Sequence, residues 1–315
     1  MCIWLLLFTL CGTARGGGSP PQQQQPVRVM GTKVSLVPPP GFVPSERFPG
    51  YGLEEAGASI LVTELPAPFA AATAAFTDPA ALGKKSMKLL AREAVTINNR
   101  AGLLLHYQQT IAGTEFLKWL LALGDETETV LVTATFPKDV ERKFSRPLRS
   151  SVLSARWDQT QSVAVEEGLS YSLGEKGTLR LAKRVGNTLL YTADAIFPSK
   201  SLDAPVFVVS PSFGGVRVGD PKAFAEARAL KIDSVINIGV IEPQAVVIDG
   251  LRGYEIVTNG KDKKTGEPMT VYQIMLFEDD AYYLMQGLVS ARRAPRHLDA
   301  FREMAHSFKR HRSTP

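Results

Sequence analysis

Two stretches of this sequence, residues 92–109 and 243–260, follow the same plan. The first reads REAVTINNRAGLLLHYQQ and the second reads PQAVVIDGLRGYEIVTNG. An alanine, a valine, an isoleucine and a glycine recur at a constant offset: Ala94, Val95, Ile97 and Gly102 in the first stretch, and Ala245, Val246, Ile248 and Gly253 in the second. Each stretch predicts a strand, a polar corner and a returning strand, and we expect Asn and Gly at the corner to accept positive φ. The recurrence predicts a duplicated structural unit.

The elements around the two corners also recur in the same order. A β-rich run, ASILVTEL at 58–65, has its counterpart in PVFVVS at 205–210. Asp78-Pro79 and Asp220-Pro221 each predict the start of a helix, because Asp caps free N–H groups and Pro suits the first turn. After Pro79 the segment AALGKKSMKLLARE is predicted to continue as a helix with Leu82, Met87 and Leu90 on one face.

Each half is then predicted to finish with paired strands, an acidic turn and a closing helix. The acidic turns are GDETE at 124–128 and EDDA at 278–281. The closing helices are predicted over 137–154, where Pro147 should introduce a kink, and over 295–311.

The segment between the halves, 158–201, begins with a polar, linker-like composition. It continues with GTLRLAKRV and NTLLYTA, which predict a hairpin around Gly186-Asn187. We expect this hairpin to start the second sheet and to occupy the place that residues 32–42 take in the first half.

These patterns predict an α+β chain with two similar domains, each an antiparallel sheet packed with helices. A length of 315 residues is sufficient for two domains. The predicted boundaries are a first domain at 30–157, a linker at 158–168, a second domain at 169–311 and a tail at 312–315.

The order of elements resembles the Mog1/PsbP-like fold, and within it the DcrB-type exported bacterial proteins. The residues that carry the resemblance are the corners Asn98–Gly102 and Asp249–Gly253, their flanking strands and the closing helices. The resemblance implies a non-enzymatic role in binding a partner or in the bacterial envelope. It provides no active-site motif that could be transferred to this chain.

The N-terminal segment predicts export. Residues 1–14 contain an apolar run, Ile3 to Leu10, that is too short to span a bilayer and is followed by small residues, as in a weak signal peptide. A disordered linker is predicted at 15–29. The expected location is periplasmic or secreted, and Leu10 disfavours a lipid anchor at Cys11. Cys2 and Cys11 are the two cysteines of the chain, so the mature protein should contain neither disulfide nor thiol chemistry.

Catalytic and metal-binding patterns are weak, so we predict no enzyme activity and no cofactor. His106 lies among apolar residues and is expected to be a half-buried packing residue. His306 and His311 are five residues apart, whereas helical metal-binding pairs are four apart. No G-x-S-x-G motif is present, and the glycines of 212–221 match neither the dinucleotide nor the P-loop spacing. The acidic turns are expected to be solvated hairpin tips.

Basic residues are concentrated in the closing helices. We predict an interaction face in the last helix and tail, for an acidic partner or a peripheral contact with an anionic membrane surface, formed by Arg292, Arg293, Arg296, Arg302, Lys309 and Arg310. The equivalent helix of the first half carries Arg142, Lys143, Arg146 and Arg149. An ordinary solvated helix face is the alternative.

Three functions remain open at this stage. The first is an exported non-catalytic protein that binds an unknown protein or envelope component. The second is a small-molecule or lipid-binding module with a pocket in or between the domains, and the third is an enzyme that uses carboxylates and arginines. A net charge of +5 is too small to predict nucleic-acid binding.

Overall fold

The structure is a computed structural model that describes residues 25–111, 113–198, 203–212 and 217–311. The predicted signal peptide at 1–14, residues 15–24 of the predicted linker, both cysteines and the predicted tail at 312–315 lie outside the described residues.

The described chain is mostly β, with short helices between strands. The strands are β1 Val27–Arg28, β2 Val34–Leu36, β3 Val43–Pro44, β4 Gly50–Leu53, β5 Ala58–Leu65, β6 Met87–Ile97, β7 Arg100–Ile111, β8 Thr114–Gly124, β9 Thr129–Pro137, β10 Arg156–Trp157, β11 Tyr171–Ser172, β12 Arg180–Val185, β13 Thr188–Thr192, β14 Val206–Pro211, β15 Val235–Ile236, β16 Gln244–Ile248, β17 Leu251–Asp262, β18 Pro268–Phe277, β19 Tyr282–Ser290 and β20 Lys309–Arg310. The α-helices are α1 Phe69–Thr73, α2 Pro79–Gly83, α3 Glu141–Leu153, α4 Pro221–Ala229 and α5 Ala294–His306.

Two large antiparallel sheets organise the molecule, one in each half. The first has the strand order β3-β4-β5-β9-β8-β7-β6, and the second has the order β12-β13-β14-β19-β18-β17-β15, with β16 also paired to β17. In order, the strands β3, β4, β5, β9, β8, β7 and β6 of the first sheet correspond to β12, β13, β14, β19, β18, β17 and β16 of the second. The short strand β15 is an additional partner of β17. The predicted α+β class is confirmed.

Each large sheet is packed between the closing helix of its half and a shorter helical segment. Phe144 and Leu148 of α3 belong to the core of the first half, and Phe301 and Met304 of α5 belong to the core of the second half. On the opposite faces, Leu82 of α2 packs against β7, and Ala225 and Ala229 of α4 pack against β17 and β18. Each half thus buries its own core. The domain boundaries themselves remain predictions.

The repeated corner is a two-residue β-turn in both halves. Asn98 and Asn99 connect β6 to β7, Asp249 and Gly250 connect β16 to β17, and all four residues have positive φ. This is the geometry that a tight hairpin requires.

The expectation that the shared glycine provides positive φ at the corner was wrong. Gly102 and Gly253 lie within β7 and β17, three residues beyond the end of the turn. A Cβ on Gly102 would lie 2.9 Å from the carbonyl oxygen of Ala122, and one on Gly253 would overlap the carbonyl oxygen of Met275. The glycine recurs because the neighbouring strand passes too close for a side chain.

The helix predicted after Pro79 ends at Gly83, and residues 87–97 form β6 instead. Asp78 and Asp220 do cap α2 and α4, accepting from the backbone N–H groups of Ala80 and Ala223. The segment from Met87 alternates between half-buried and exposed positions because it pairs with β7 along its length. Met87 and Leu90 fit a helical face as well as a strand, so spacing alone misassigned them.

The prediction that the hairpin around Gly186-Asn187 occupies the place of residues 32–42 was wrong. β2 pairs with β10, which follows the closing helix α3, and in the same way β11 pairs with β20, which follows α5. The equivalent of β2 is therefore β11. The hairpin around Gly186-Asn187 forms as predicted, but its strands β12 and β13 take the places of β3 and β4.

The segment predicted as a linker connects the two halves through Arg184. The Nη1 atom of Arg184 donates to the carbonyl oxygens of Val165 and Glu167, both at 2.7 Å. The carboxylate of Glu167 accepts from the N–H of Gly31 at 3.1 Å and lies 2.5 Å from Nη2 of Arg28. We call Arg28, Gly31, Glu167 and Arg184 the clasp.

A second set of contacts joins the halves at the other side of the clasp. Arg47 forms an ion pair with Asp280, at the tip of the β18–β19 hairpin. The carbonyl oxygen of Arg47 also accepts from Nδ2 of Asn187, at 2.9 Å, and Asn187 is buried. With two separated sets of contacts, the halves are held in one arrangement.

Replacing Gly253 with alanine should destabilise the fold by about 1–3 kcal/mol, because the added methyl group overlaps the backbone of β18. Gly52 is the matched control, since a Cβ there meets no atom within 4 Å, and Gly52→Ala should change the free energy of unfolding by less than about 0.5 kcal/mol. Urea denaturation of both variants measures the difference. Equal stabilities would show that the close approach is not what requires glycine.

Candidate functional site

The predicted basic face is largely neutralised by nearby carboxylates, most of them distant in sequence. Arg292 pairs with Asp203, and Arg302 pairs with Glu255 at 2.9 Å and Asp299 at 3.4 Å. Lys309 lies 3.7 Å from a carboxylate oxygen of Asp249. These basic groups therefore have less free charge than the sequence suggests.

Arg310 is a structural residue of the corner rather than a surface cation. Its backbone N–H and its Nε both donate to Oδ2 of Asp249 at 3.1 Å, and its Nη2 donates to the carbonyl oxygen of Asp249 at 2.8 Å. Its Nη1 donates to Glu278 at 2.7 Å. Burial acts to raise the pKa of Asp249, but the hydrogen bonds from Arg310 outweigh it and lower the pKa overall.

Arg293 and Arg296 are the members of the predicted face for which the described part of the chain provides no carboxylate within 4 Å. Arg296 is exposed on α5, and Arg293 is half-buried and acts electrostatically on Asp203. In the first half, Arg149 pairs with Glu93 at 2.7 Å and Lys143 lies over the ring of Phe144. The use of this face for a partner or a membrane remains a prediction.

The acidic turns stabilise their own hairpins and, in one case, the contact between the halves. Oδ1 of Asp125 accepts from the N–H groups of Thr127 and Glu128 at 2.7 and 2.9 Å, and these bonds hold the pKa of Asp125 well below its usual range. In the second turn, Glu278 contacts Arg310 and Asp280 contacts Arg47.

His106 packs in the way that the sequence predicts. Its ring stacks on Trp119 with 3.9 Å between ring centroids, and Arg149 lies over the same indole at 5.5 Å. Burial lowers the pKa of His106, an effect that the nearby Glu141 opposes. His306 is exposed and His311 contacts the carbonyl oxygen of Leu169. Within the described ranges, no group of three or more His, Cys, Asp and Glu residues could hold a metal ion.

A cleft of about 410 Å³ lies between the two halves. The first half contributes β1 and the segment from Pro44 to Tyr51, and the second half contributes Gly168 to Ser170 and His311. Its lining is mostly apolar, including Met30 and Phe48. Its size lies within the range of small-molecule sites.

The free edge of the second sheet carries a run of exposed apolar side chains. From Val235 to Ile248 the chain has one charged residue, Glu242. Val240 is 81% exposed, Val247 is 65% exposed and Ile236 is 41% exposed. We call the segment 235–248 the apolar edge. A groove of about 520 Å³ lies beside it.

The sequence reasoning missed the apolar edge. Residues 245–248 are predicted as the first strand of the repeated corner, and an uncharged run of valines and isoleucines does not show by itself that such a strand is exposed. One available signal was the difference between the halves, because the equivalent strand β6 contains Lys88, Arg92 and Glu93. Charged side chains of this kind protect an edge strand from pairing with another chain.

No protein-family model matches this chain, and no curated protein sequence does. Solved structures with similarity include LpqN of Mycobacterium tuberculosis, described as involved in cell envelope biogenesis, with 17% identity over 44% of this chain and 82% of its own length, at a TM-score of 0.32. The cyanobacterial PsbP of Synechocystis has 10% identity over 47% of this chain and 99% of its own length, at a TM-score of 0.29. The T6SS immunity protein TplEi of Pseudomonas aeruginosa has 12% identity over 91% of this chain and 98% of its own length, at a TM-score of 0.34.

The structures with similarity include a PsbP protein, the family that the order of elements resembles. At TM-scores below 0.5, none of these similarities assigns a ligand, a partner or an activity to this chain.

Replacing Arg310 with glutamine should destabilise the protein by about 1–3 kcal/mol, because Asp249 and Glu278 lose a charged partner in a partly buried site. Arg296→Gln is the control, since Arg296 is exposed on the same face, and it should change stability by less than about 0.5 kcal/mol. Thermal and urea unfolding compare the two. If Arg296→Gln were the more destabilising change, the division of the face into structural and free cations would be wrong.

The stability of the protein should fall as the pH decreases from 7 to 5, in part because of His106. Its pKa in the folded protein is below the unfolded value, so the unfolded state binds the proton first and is favoured below about pH 6.5. His106→Phe keeps the stack on Trp119 and should weaken this pH dependence. Urea midpoints at pH 7 and pH 5 test it, with His297→Gln as the control for a second histidine of lowered pKa. An unchanged dependence in His106→Phe would contradict the assignment.

Proposed function

We propose that this chain is a non-catalytic, exported protein that holds a protein partner against its second half. The observation that supports the proposal best is the apolar edge. Ile236, Val240 and Val247 are large apolar side chains exposed along one border of one sheet. Exposed apolar surface concentrated in one place is typical of an interaction site, whereas single exposed apolar residues are not informative.

The difference between the two halves supports the location of the site. The first half presents an edge strand with three charged residues, whereas the corresponding segment 235–248 has Glu242 alone, between β15 and β16. Since the two halves share strand order and corner geometry, folding requirements do not account for this difference. A requirement that belongs to the second half alone, such as binding, does account for it.

The clasp supports a role for the two halves as one unit. Arg184 and Glu167 fix the second sheet relative to the first, so a partner bound at the apolar edge would meet a preorganised surface. Preorganisation reduces the entropy lost on binding.

Export is the part of this proposal that depends on residues 1–14, which lie outside the described residues. In the described part of the chain, no helix has both the length and the apolar character to cross a membrane. The location we propose is the periplasm or the exterior.

A second candidate function is the binding of a small apolar molecule or lipid in the cleft between the halves. Its support is the cleft itself, with a volume of about 410 Å³ and apolar side chains such as Met30 and Phe48 in its lining. We rank it second because Val29 and Tyr51 in the cleft are already well buried against protein.

Site-specific photocrosslinking tests the proposed function. A photoreactive amino acid is placed at Val240 and, as the matched control, at Leu90, which is 42% exposed on the edge strand of the first half. In cells that express the full chain, position 240 should yield one abundant protein adduct and position 90 should not. The identified protein, once purified, should bind the wild-type chain in solution.

Two results would overturn this proposal. One is equal crosslinking at positions 240 and 90, which would show that the apolar edge is not a preferred surface. The other is the absence of any protein adduct together with a small molecule of constant mass bound to the purified protein in native mass spectrometry. That result would favour small-molecule binding in the cleft.

A further inference from the structure

The strand β16 ends the second sheet on one side, and its turn determines which backbone groups face outward. Ile248 and Leu251 flank the two-residue turn and form its closing pair. In a hairpin of this type the closing pair is hydrogen-bonded, and bonded pairs alternate with non-bonded pairs along the ladder. Val246 therefore bonds to β17, whereas Ala245 and Val247 direct their N–H and C=O groups away from it. Those groups are placed to bond another strand.

The side chains beside these free backbone groups form an apolar surface. The register places Val247 beside Arg252 and Arg252 beside Phe277, in one row across three strands. The next row on the same face begins with Ala245 and Tyr254. These side chains line the groove of about 520 Å³. A strand added to β16 would place every second side chain over this groove.

Arg252 supplies the one charge of the first row. It is exposed, and within the described residues no carboxylate lies at salt-bridge distance from it. A side chain opposite Val247 on an added strand would lie in the same row as Arg252, two strand spacings, or about 9–10 Å, away. That separation is within the combined reach of an arginine and a glutamate. The charge of Arg252 therefore favours an acidic side chain at that position.

The first half shows what an edge of the same geometry looks like when it is protected. Its turn has the same two-residue form, and Ala94 and Thr96 occupy the positions of Ala245 and Val247. However, β6 carries charged side chains and a register irregularity between Leu89 and Ala91. Charges and bulges both oppose pairing with another chain. β16 has neither.

The outer face of the first sheet is also filled where the groove lies in the second. Gly124 occupies the position that Phe277 has in the second half, and a Cβ at Gly124 would lie 2.9 Å from the side chain of Phe69. A helix residue therefore packs directly on the first sheet at this point. The first half has no equivalent of the row formed by Val247, Arg252 and Phe277.

We infer that β16 binds an extended segment of a partner protein as an additional strand, with apolar side chains over the groove and a carboxylate directed to Arg252. This rests on the proposed function, since it names how the partner binds at the apolar edge. Main-chain hydrogen bonds to Ala245 and Val247 supply affinity, and the alternate side chains supply specificity, as in other cases of strand addition.

Selection from a displayed library of random nine-residue peptides against the full chain tests the inference. Enriched peptides should alternate apolar residues and contain an acidic residue on the same face as the apolar ones. Synthetic peptides then give Kd values by fluorescence anisotropy. Replacing the peptide's acidic residue with its amide should weaken binding about three- to fivefold for the wild-type chain, and by less than about 1.5-fold for Arg252→Gln.

The edge itself is tested with two variants and their matched controls. Val247→Pro removes an outward N–H without removing a bond to β17, and Ala245→Lys places a charge on the edge; each should weaken peptide binding about tenfold or more. Thr96→Pro and Ala94→Lys make the same changes on β6 and should leave Kd within about twofold. Far-UV circular dichroism and thermal unfolding identify any variant that fails to fold. If Val247→Pro fails to fold, Ala245→Lys provides the test of the edge.

Three outcomes would overturn the inference. In the first, no peptide is enriched. In the second, the enriched peptides bind Val247→Pro and Ala245→Lys as tightly as they bind the wild-type chain. In the third, the wild-type chain forms a dimer that Val247→Pro does not form, which shows that the occupant is a second copy. If crosslinking at Val240 still identifies a protein partner in any of these cases, strand addition by a segment of that partner is wrong and the proposed function stands.

Discussion

The arrangement of the two halves depends on the hydrogen bonds that the guanidinium of Arg184 donates to the segment between them. A partly buried cation is unfavourable unless it is hydrogen-bonded. Nη1 of Arg184 donates to two backbone carbonyl oxygens of the segment between the halves, whereas its Nη2 is buried with no hydrogen-bond partner among the described residues. The same segment supplies Glu167, which binds the first half at Gly31 and Arg28. Gly31 has to be a glycine, since its φ is +74° and a side chain there would occupy the space of Arg184. The segment is thus a structural connection, and the cleft between the halves exists because of it.

The two halves use one architecture for the same structural purposes. Each corner lies against the chain that follows its closing helix, through Asn98 and the carbonyl oxygen of Ala155 in one half and through Asp249 and Arg310 in the other. The polar residues differ, but both connect the hairpin to the end of the same half. The halves diverge at the border of the sheet, where one strand carries charge and the other carries exposed valine and isoleucine. This difference in charge and exposed apolar surface indicates that the two edge strands meet different requirements at the protein surface.

Much of the fold could be predicted from local patterns, because the relevant forces act between near neighbours in sequence. Asp78 and Asp220 cap their helices through bonds to residues two and three positions away, and alternation with a tight turn defines the hairpins. The helix predicted through Met87 and Leu90 failed because pairing with β7 is a long-range interaction that spacing does not reveal. The same limit affected the site. Basic residues are visible along the chain, but Asp249, Glu278 and Asp203, which neutralise several of them, lie far from them in sequence. The apolar edge was missed because the sequence does not show whether a strand has a neighbour on both sides.

The two-residue corner has a further consequence for how such a duplicated protein can change. The turn determines which backbone groups of the edge strand point outward, so both copies inherit the same outward positions whatever their side chains are. Substitutions at Ala245 or Val247 therefore alter the surface of the second half without changing the hydrogen bonds that hold its hairpin together. One half can keep a protected border while the border of the other changes. In this architecture, the stability of the hairpin and the chemistry of its outer border are separate properties.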